Sequence, residues 1–457
     1  MANEILFNAF DMNCIVHQSP GLWRHPRDHA RGYKRLNYWL DLAKTLERGR
    51  FDALFLADVL GVYDVYKGGP ESALKGAVQV PVNDPLPLVS AMSTVTDHLG
   101  FGLTASLSFE HPYPFARRLS TLDHLTEGRV AWNIVTSYLN SGALNIGQKA
   151  QLDHDQRYDL AEEYLEVCYK LWEGSWEDHA VVNDVERGIY TDPSRVHDIH
   201  HKGRHFEVPG FHLSEPSPQR TPLLFQAGAS KRGTAFAAQH AECVFVSAPS
   251  KVVLRKVVEG LRYQAELAGR DPYAIRIFNM HTVIVDETEE KARARHKDYL
   301  KYVDLESALT LFSGWTGLDM SKFPPHAPLE HVSTNAIQSA VEAYSTADPG
   351  RVWTAEEIAH WVGIGGQGAL TVGSTEQVAD ELEEWGAETD IDGFNFAYAV
   401  TPETFESIVD LLVPELTRRG RYKSHYRDGT LRHKLFGAGD RLQAPHPGAG
   451  YRYTATS

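Results

Sequence analysis

Cysteine is scarce: the 457 residues hold three, Cys14, Cys168 and Cys243, far apart and odd in number. That argues against a disulfide framework or a zinc centre and fits a reducing interior. Stripes of positive charge are missing as well. Lys and Arg total 45 against 60 Asp and Glu, a formal net charge of −15, so no nucleic-acid or anionic-membrane footprint is visible. No window approaches ~18 consecutive apolar residues, and no membrane span is expected. The start, MANEILFNAFDMN, lacks a basic region followed by an apolar stretch. No secretory signal is read there, and a cytoplasmic location is the expectation.

What is present is ordinary globular material, 42% hydrophobic and 23% charged, arranged in a regular alternation. Short apolar, β-branched runs at 5–10, 52–58, 101–107, 129–137, 221–227, 243–248, 275–285 and 393–400 are each followed, directly or after an insertion, by an amphipathic helical pattern. Strand-then-helix repetition implies a parallel sheet covered by helices. Eight such units favour closure into a (β/α)8 TIM barrel of the α/β class over an open sheet. Nearly continuous apolar runs fit strands buried on both faces. Residues 1–457 read as one barrel domain, with long insertions at about 138–220 and 304–380 that overhang the C-terminal face.

In such a barrel the polar residues at strand C-termini are the first functional candidates. The second strand ends in Asp58, the third carries Thr104, Ser106 and Ser108, and the fourth ends in Asn133, Thr136 and Ser137. A hydroxyl, amide or carboxylate there can grip the polar edge of a planar ring; singly, each reads equally well as a helix N-cap. The fifth strand runs into Gln226-Ala227-Gly228-Ala229-Ser230-Lys231-Arg232-Gly233 and then a helix. Small residues let backbone approach a ligand, and amides at a helix start attract phosphate. A tight turn capped by Ser230, with no ligand, fits the spacing as well. Aromatic and imidazole side chains gather in loops expected at the mouth: His17, Trp23, Tyr63, His111, Tyr113 and Tyr138. They suit a flat ring and an apolar substrate, although each alone is compatible with ordinary packing.

Two patterns are set aside. Gly363-Ile364-Gly365-Gly366-Gln367-Gly368 has the glycine spacing of a dinucleotide fingerprint. Its context is reversed, with a helical pattern before it and a strand or loop after, whereas the fingerprint needs strand, turn, helix. With no nicotinamide unit visible, any reducing electrons are expected to arrive from outside this chain. The histidines His197, His200, His201, His205 and His212 lack an ordered ligand spacing and read as solvated or hairpin residues, with no metal expected. Cys14 has no local base beside it and reads poorly as a nucleophile.

The strings NAFDMNC, GLWRHP, QVPVNDP, EHPYPFARRLSTLDHLTEGRVAWNIVTS, HDQRYDLAEEYLEVCYKLWEGSW, EPSPQRTPLLFQAG and DGFNFAYAVTPETF resemble the bacterial luciferase-like flavin monooxygenases. The branch is that of nitrilotriacetate, dibenzothiophene sulfone, dimethyl sulfide and long-chain alkane monooxygenases, which also holds a riboflavin lyase. The resemblance runs over nearly the whole chain and is specific for the branch, not for a substrate. It implies reduced flavin mononucleotide (FMN) and dioxygen as cosubstrates, a separate NAD(P)H-dependent flavin reductase, and a homodimer or homotetramer. It assigns flavin contacts to Asp58, Ser106, Ser137, Tyr158, Ala227, Gly228, Ala229 and Ser230. His17, Tyr63, His111 and Tyr138 are left as catalytic candidates that orient oxygen or substrate. Tyr138 and a position near Leu311 stand where the alkane-oxidising member carries histidine, and the string TSYLNS around Tyr138 is closer to the organosulfur members, which moves the expectation toward organosulfur substrates. The leading expectation is a two-component monooxygenase acting on an organosulfur, aliphatic or similar small molecule. Alternatives are a riboflavin lyase releasing lumichrome, a non-catalytic flavin-binding protein and a deazaflavin-dependent reductase.

Overall fold

Strand β1 (Leu6–Met12) shows why the apolar runs are nearly continuous. Phe7 and Ala9 point outward under the helices, while Leu6 and Phe10 point inward to a second apolar cluster in the lumen. With both faces dry, alternation disappears from the sequence. The computed structural model describes residues 4–453 apart from 229, 330–335, 346 and 349. Seven more strands follow the pattern: β2 Ala53–Ala57, β3 Gly100–Ser106, β4 Val130–Val135, β5 Leu223–Ala227, β6 Cys243–Val246, β7 Arg276–Asp286 and, after an outlying strand β8 (Ala369–Ser374), β9 Gly393–Ala397. All pair in parallel, β1 to β2, β2 to β3, β3 to β4, β4 to β5, β5 to β6, β6 to β7, β7 to β9 and β9 back to β1. The ring is closed, and the fold is a (β/α)8 barrel.

Strand β8 (Ala369–Ser374) is a ninth, outside the ring. Its partner β7 is long enough to serve two sets of neighbours. Phe278–His281 pairs with β9, and His281–Asp286 overshoots the barrel and pairs with β8. The helix before β8 (Ala355–Val362) and the strand itself put the Gly363–Gly368 loop in the reversed order read from the sequence.

The lumen is filled by Phe55, Phe225, Phe245 and Phe278. Phe55 and Phe245 lie 4.5 Å apart by centroid, and Phe225 and Phe245 4.8 Å apart. Gly102 makes room for this layer, because a Cβ there would stand 2.5 Å from the Phe225 ring. Truncating one such ring costs about 3–5 kcal/mol.

Four helices border the two ends of the lumen: α1 His154–Tyr169, α2 Lys231–His240, α3 Leu305–Thr316 and α4 Leu431–Phe436. Helix α4 stoppers the N-terminal end of the barrel with Leu431 and Leu435. Its buried Arg432 forms a two-pronged pair with Glu242 (2.6 and 2.9 Å) and donates to the carbonyls of Thr221 and Pro222. The excursion after β4 carries α1 and two short hairpins. One of them, His201–Lys202 with Glu207–Val208, is tied to α1 because Glu163 accepts the backbone N–H groups of Arg204, His205 and Phe206.

Candidate active site

The C-terminal ends of the strands surround a cavity of about 380 Å³, within the size range of small-molecule sites. A deeper chamber of about 180 Å³ shares Phe10, Asp58, Thr104 and Met280 with it and reaches Asn133 and Asn395. The roof is apolar, built from Trp315 at the end of α3 and from Ile337, Ala340 and Ala343.

One wall carries the groups that could receive an oxyanion. The cavity is lined by Ala227, Gly228 and Ser230 where β5 passes into α2, and by His154, Arg157 and Tyr158 from α1. Ser230 caps α2, its Oγ accepting the Gly233 N–H (3.1 Å), and lies 3.2 Å from His154 Nε2. The Tyr158 hydroxyl rests against the same turn, and a Cβ on Gly233 would come within 2.7 Å of it. A larger residue there would displace the hydroxyl. Arg157 is the one Lys or Arg among the described lining residues. It is buried, which pulls its pKa down, while Tyr158 and Asp153 oppose the shift. A buried cation, two hydroxyls and a helix N-terminus line the same cavity, groups of the kind that favour a phosphate. Ala229 lies outside the described residues.

Across the cavity the ends of β2, β3 and β4 present Asp58, Ser106 and Ser137. Ser137 adopts a left-handed backbone (φ 55°), an uncommon conformation for a non-glycine residue. It is held there by the Arg157 guanidinium, which donates to its carbonyl, and its Oγ donates to Ser106 Oγ at 2.7 Å. Ser106 Oγ also accepts the Ser108 N–H (3.2 Å). With both acceptor positions used, the Ser106 proton is the group left to face a ligand. Burial pushes the Asp58 carboxyl up to about 7, reinforced by Asp84 and opposed by the Val59 N–H. It is therefore able to hold a proton near neutral pH.

A chain of hydroxyls and one amide backs the third wall. Tyr138 lines the cavity and lies 2.7 Å from the buried Tyr63 hydroxyl. Tyr63 donates to Gln79 Oε1 (2.8 Å), and Gln79 Nε2 donates to the His17 carbonyl (2.9 Å). A carbonyl only accepts, so the amide orientation is fixed, and with it the direction of every proton in the chain. Tyr63 spends its proton on Gln79, so Tyr138 donates to Tyr63. Toward the cavity Tyr138 offers lone pairs. Burial raises the pKa of both tyrosines and keeps them neutral.

The remaining candidates sit elsewhere. His17 is buried behind the wall, its ring edge-on to Phe10 at 4.3 Å, and burial lowers its pKa to about 3, so the imidazole is neutral. Its contribution to the cavity passes through its carbonyl. His111 caps the Pro112–Leu125 helix through Nδ1, packs edge-on to Phe206 and does not line the cavity. Of the histidine-rich stretch, His201 lies 3.3 Å from Glu163, His197 2.7 Å from Glu177 and His212 2.9 Å from Ser120, all of them local structural ties. Sequence reasoning missed Arg157, which lies inside an amphipathic helix with nothing local to distinguish it. It also missed Gln79 and the roof residues Trp315 and Ile337, which belong to segments remote from any strand end.

A closed parallel barrel with this cavity at its mouth fits comparison with known families. The model for luciferase-like monooxygenases matches residues 16–392. The chain belongs to the luciferase-like monooxygenase family. It is 52% identical over 453 residues to the dimethyl-sulfide monooxygenase of Hyphomicrobium sulfonivorans, covering 99% of this chain and 94% of that protein. The crystal structure of DmoA from that organism superposes with a TM-score of 0.92 over 98% of this chain and 96% of its own. Identity to the long-chain alkane monooxygenase of Geobacillus thermodenitrificans is 49%, over 99% of each. A riboflavin lyase crystallised with modified FMN and riboflavin is 33% identical, covers 99% of this chain and 100% of its own, and has a TM-score of 0.93. This luciferase-like chain is accordingly an enzyme, a flavin-dependent oxidoreductase.

Proposed function

We propose that the chain is the oxygenase component of a two-component system. It takes reduced FMN from a separate NAD(P)H-dependent flavin reductase and uses dioxygen to oxidise a small apolar molecule, a thioether-class organosulfur compound first. The observation that carries this reading is a single cavity with an oxyanion cradle on one wall and an apolar roof on another. When bound, the reduced flavin supplies the electrons that activate dioxygen.

The donor set fits a ribityl phosphate. Arg157 matches its charge, Tyr158 and Ser230 offer hydroxyls, and the start of α2 offers backbone N–H groups. Ser106 would donate its proton to an acceptor on the bound flavin, and Asp58 would accept or give a proton according to its state. Tyr138 would accept a hydrogen bond from an O–H or N–H presented to it in the cavity. Trp315 and Ile337 exclude water, which limits loss of oxidising equivalents to solvent. Leu311 is fully buried in one apolar cluster with Tyr63, against which Tyr138 packs. The 52% identity to a dimethyl-sulfide enzyme supports the choice of a thioether.

Reconstitution with a flavin reductase, NADH and FMN tests the reading. Dimethyl sulfide, a medium-length alkane and riboflavin are supplied in turn and products are identified by chromatography. Sulfide-dependent product with matching NADH consumption is expected. Lumichrome from riboflavin would transfer the chain to the lyase reading, which the 0.93 TM-score to a lyase keeps in view. NADH oxidation with no product from any of the three would remove the oxygenase assignment.

A further inference from the structure

The N-terminal end of the barrel holds a second cavity, about 970 Å³, that shares no lining residue with the catalytic one. The aromatic layer of Phe55, Phe225, Phe245 and Phe278 separates the two ends of the lumen. Seven basic side chains and four carboxylates line this cavity, in a chain whose net charge is −15. Three further carboxylates, Asp380, Glu383 and Glu415, stand behind the lining.

Most of these charges are matched. Arg262 and Arg276 close on Asp392 at 3.0 and 2.9 Å, and Lys423 closes on Asp52 at 2.6 Å. Arg427 meets Glu4 at 3.2 Å, and Arg419 is held by Asp380, Glu383 and Glu415. Two cations are left poorly served. Arg421 reaches Glu383 only at 3.5 Å, a carboxylate shared with Arg419, and its buried Nε and Nη1 have no hydrogen-bond acceptor among the described residues. Among the same residues, no carboxylate stands within ion-pair distance of Lys434. Its ammonium donates to the His98 carbonyl (3.0 Å), and burial, with Arg129 nearby, pulls its pKa down to about 8.

Buried donors without acceptors cost free energy until an acceptor arrives. A phosphate monoester, carrying roughly 1.5–2 negative charges at neutral pH and three strong acceptor oxygens, answers both deficits. The space exceeds what a bare phosphate fills, and the rings of Tyr273 and Tyr426 stand in its wall beside Arg262 and Lys434, at 4.6 and 5.6 Å from the respective cations. We propose that this N-terminal cavity is a binding site for a dianionic phosphate group, free or carried by a small molecule, engaged by Arg421 and Lys434 and separate from the catalytic site.

Calorimetric titration tests this on enzyme loaded with one equivalent of FMN, so that the catalytic cradle is filled. Inorganic phosphate and glycerol 3-phosphate are the probes. One additional site per chain is expected in the parent protein. In Arg421→Gln/Lys434→Gln its affinity falls by about tenfold or more, the scale of charge-assisted hydrogen bonds, while FMN affinity and turnover stay unchanged. Lys434→Gln alone repeats the measurement should the double variant fold poorly. Tighter binding of glycerol 3-phosphate identifies a phosphorylated metabolite as the occupant, and tighter binding of inorganic phosphate identifies the free ion. No binding of either probe, or binding that both variants leave intact, overturns the proposal.

Discussion

Gln79 shows how one amide can set the chemistry of a wall it does not itself form. Its nitrogen must face the His17 carbonyl, so its oxygen must face Tyr63, and the Tyr138 proton is drawn away from the cavity. In Gln79→Leu the Tyr63 proton has no fixed acceptor and turns to Tyr138, which then points a donor at the ligand. The expected result is a fall in kcat of about tenfold, consistent with one misdirected buried hydrogen bond, with FMN affinity unchanged. Tyr138→Phe follows the same split, losing turnover before flavin binding. A loss of FMN affinity larger than the loss of kcat in either variant would move these residues into the cofactor shell. Asp58 supplies a pH signature. Its folded-state pKa of about 7 lies above the ordinary value of 3.8, chiefly through burial, and Asp11 and Asp28 are pushed up to about 7 in the same way. Protonated carboxyls favour the folded state, so this stability is present below pH ~4 and is lost as pH rises through ~7. Urea unfolding of the flavin-free protein should show lower stability at pH 8 than at pH 5. Asp58→Asn should recover roughly 1–2 kcal/mol of that difference, and an unchanged difference would deny the raised pKa.

At the scale of elements, the turn from β5 into α2 does two things with the same atoms. Ser230 Oγ satisfies the Gly233 N–H and so completes the helix start, and that start is also the proposed oxyanion cradle. Ser230→Ala should therefore cost about 1 kcal/mol of stability as a lost cap. It should also weaken FMN by several-fold while leaving riboflavin, which has no phosphate, nearly unaffected; fluorescence titration with the two flavins separates the effects. Equal weakening of both would place Ser230 away from the phosphate. The α1 helix contributes through Arg157 and Tyr158, whose adjacent positions reach the end of β4 and the start of α2 respectively. Helix and strand termini are thus locked together before any ligand enters.

For the whole molecule, closure of the barrel and its stopper are one problem. Arg432 on α4 is buried and ties β5 and β6 at their N-terminal ends through Glu242 and two carbonyls. Removing one partner leaves a buried carboxylate unpaired. Arg432→Gln should lower stability by about 3–5 kcal/mol, read as a shifted urea midpoint with FMN affinity preserved in the folded fraction. A shift below ~1 kcal/mol, the scale of a single ordinary hydrogen bond, would mean that α4 closes the barrel through Leu431 and Leu435 alone. No described helix is long and apolar enough to cross a membrane.

Eight strands were legible because a parallel strand buried on both faces leaves a continuous apolar run, and each of the eight falls within or beside the run read for it. The ninth, Ala369–Ser374, was readable only as strand or loop, since a short segment beside a glycine-rich turn carries no period of its own. Its pairing depends on how far β7 overshoots the ring. The placement of strand ends was also readable: Asp58, Ser106, Ser137, Ala227, Gly228 and Ser230 line one cavity at the C-terminal end of the barrel. Arg157, Gln79 and the roof around Trp315 were hidden, because their roles come from contacts with segments distant along the chain. A local pattern cannot report a distant partner. The order of residues by itself determines which faces must be dry and which strand ends are polar. The direction of each proton and the shape of each cavity exist only once the chain has closed on itself.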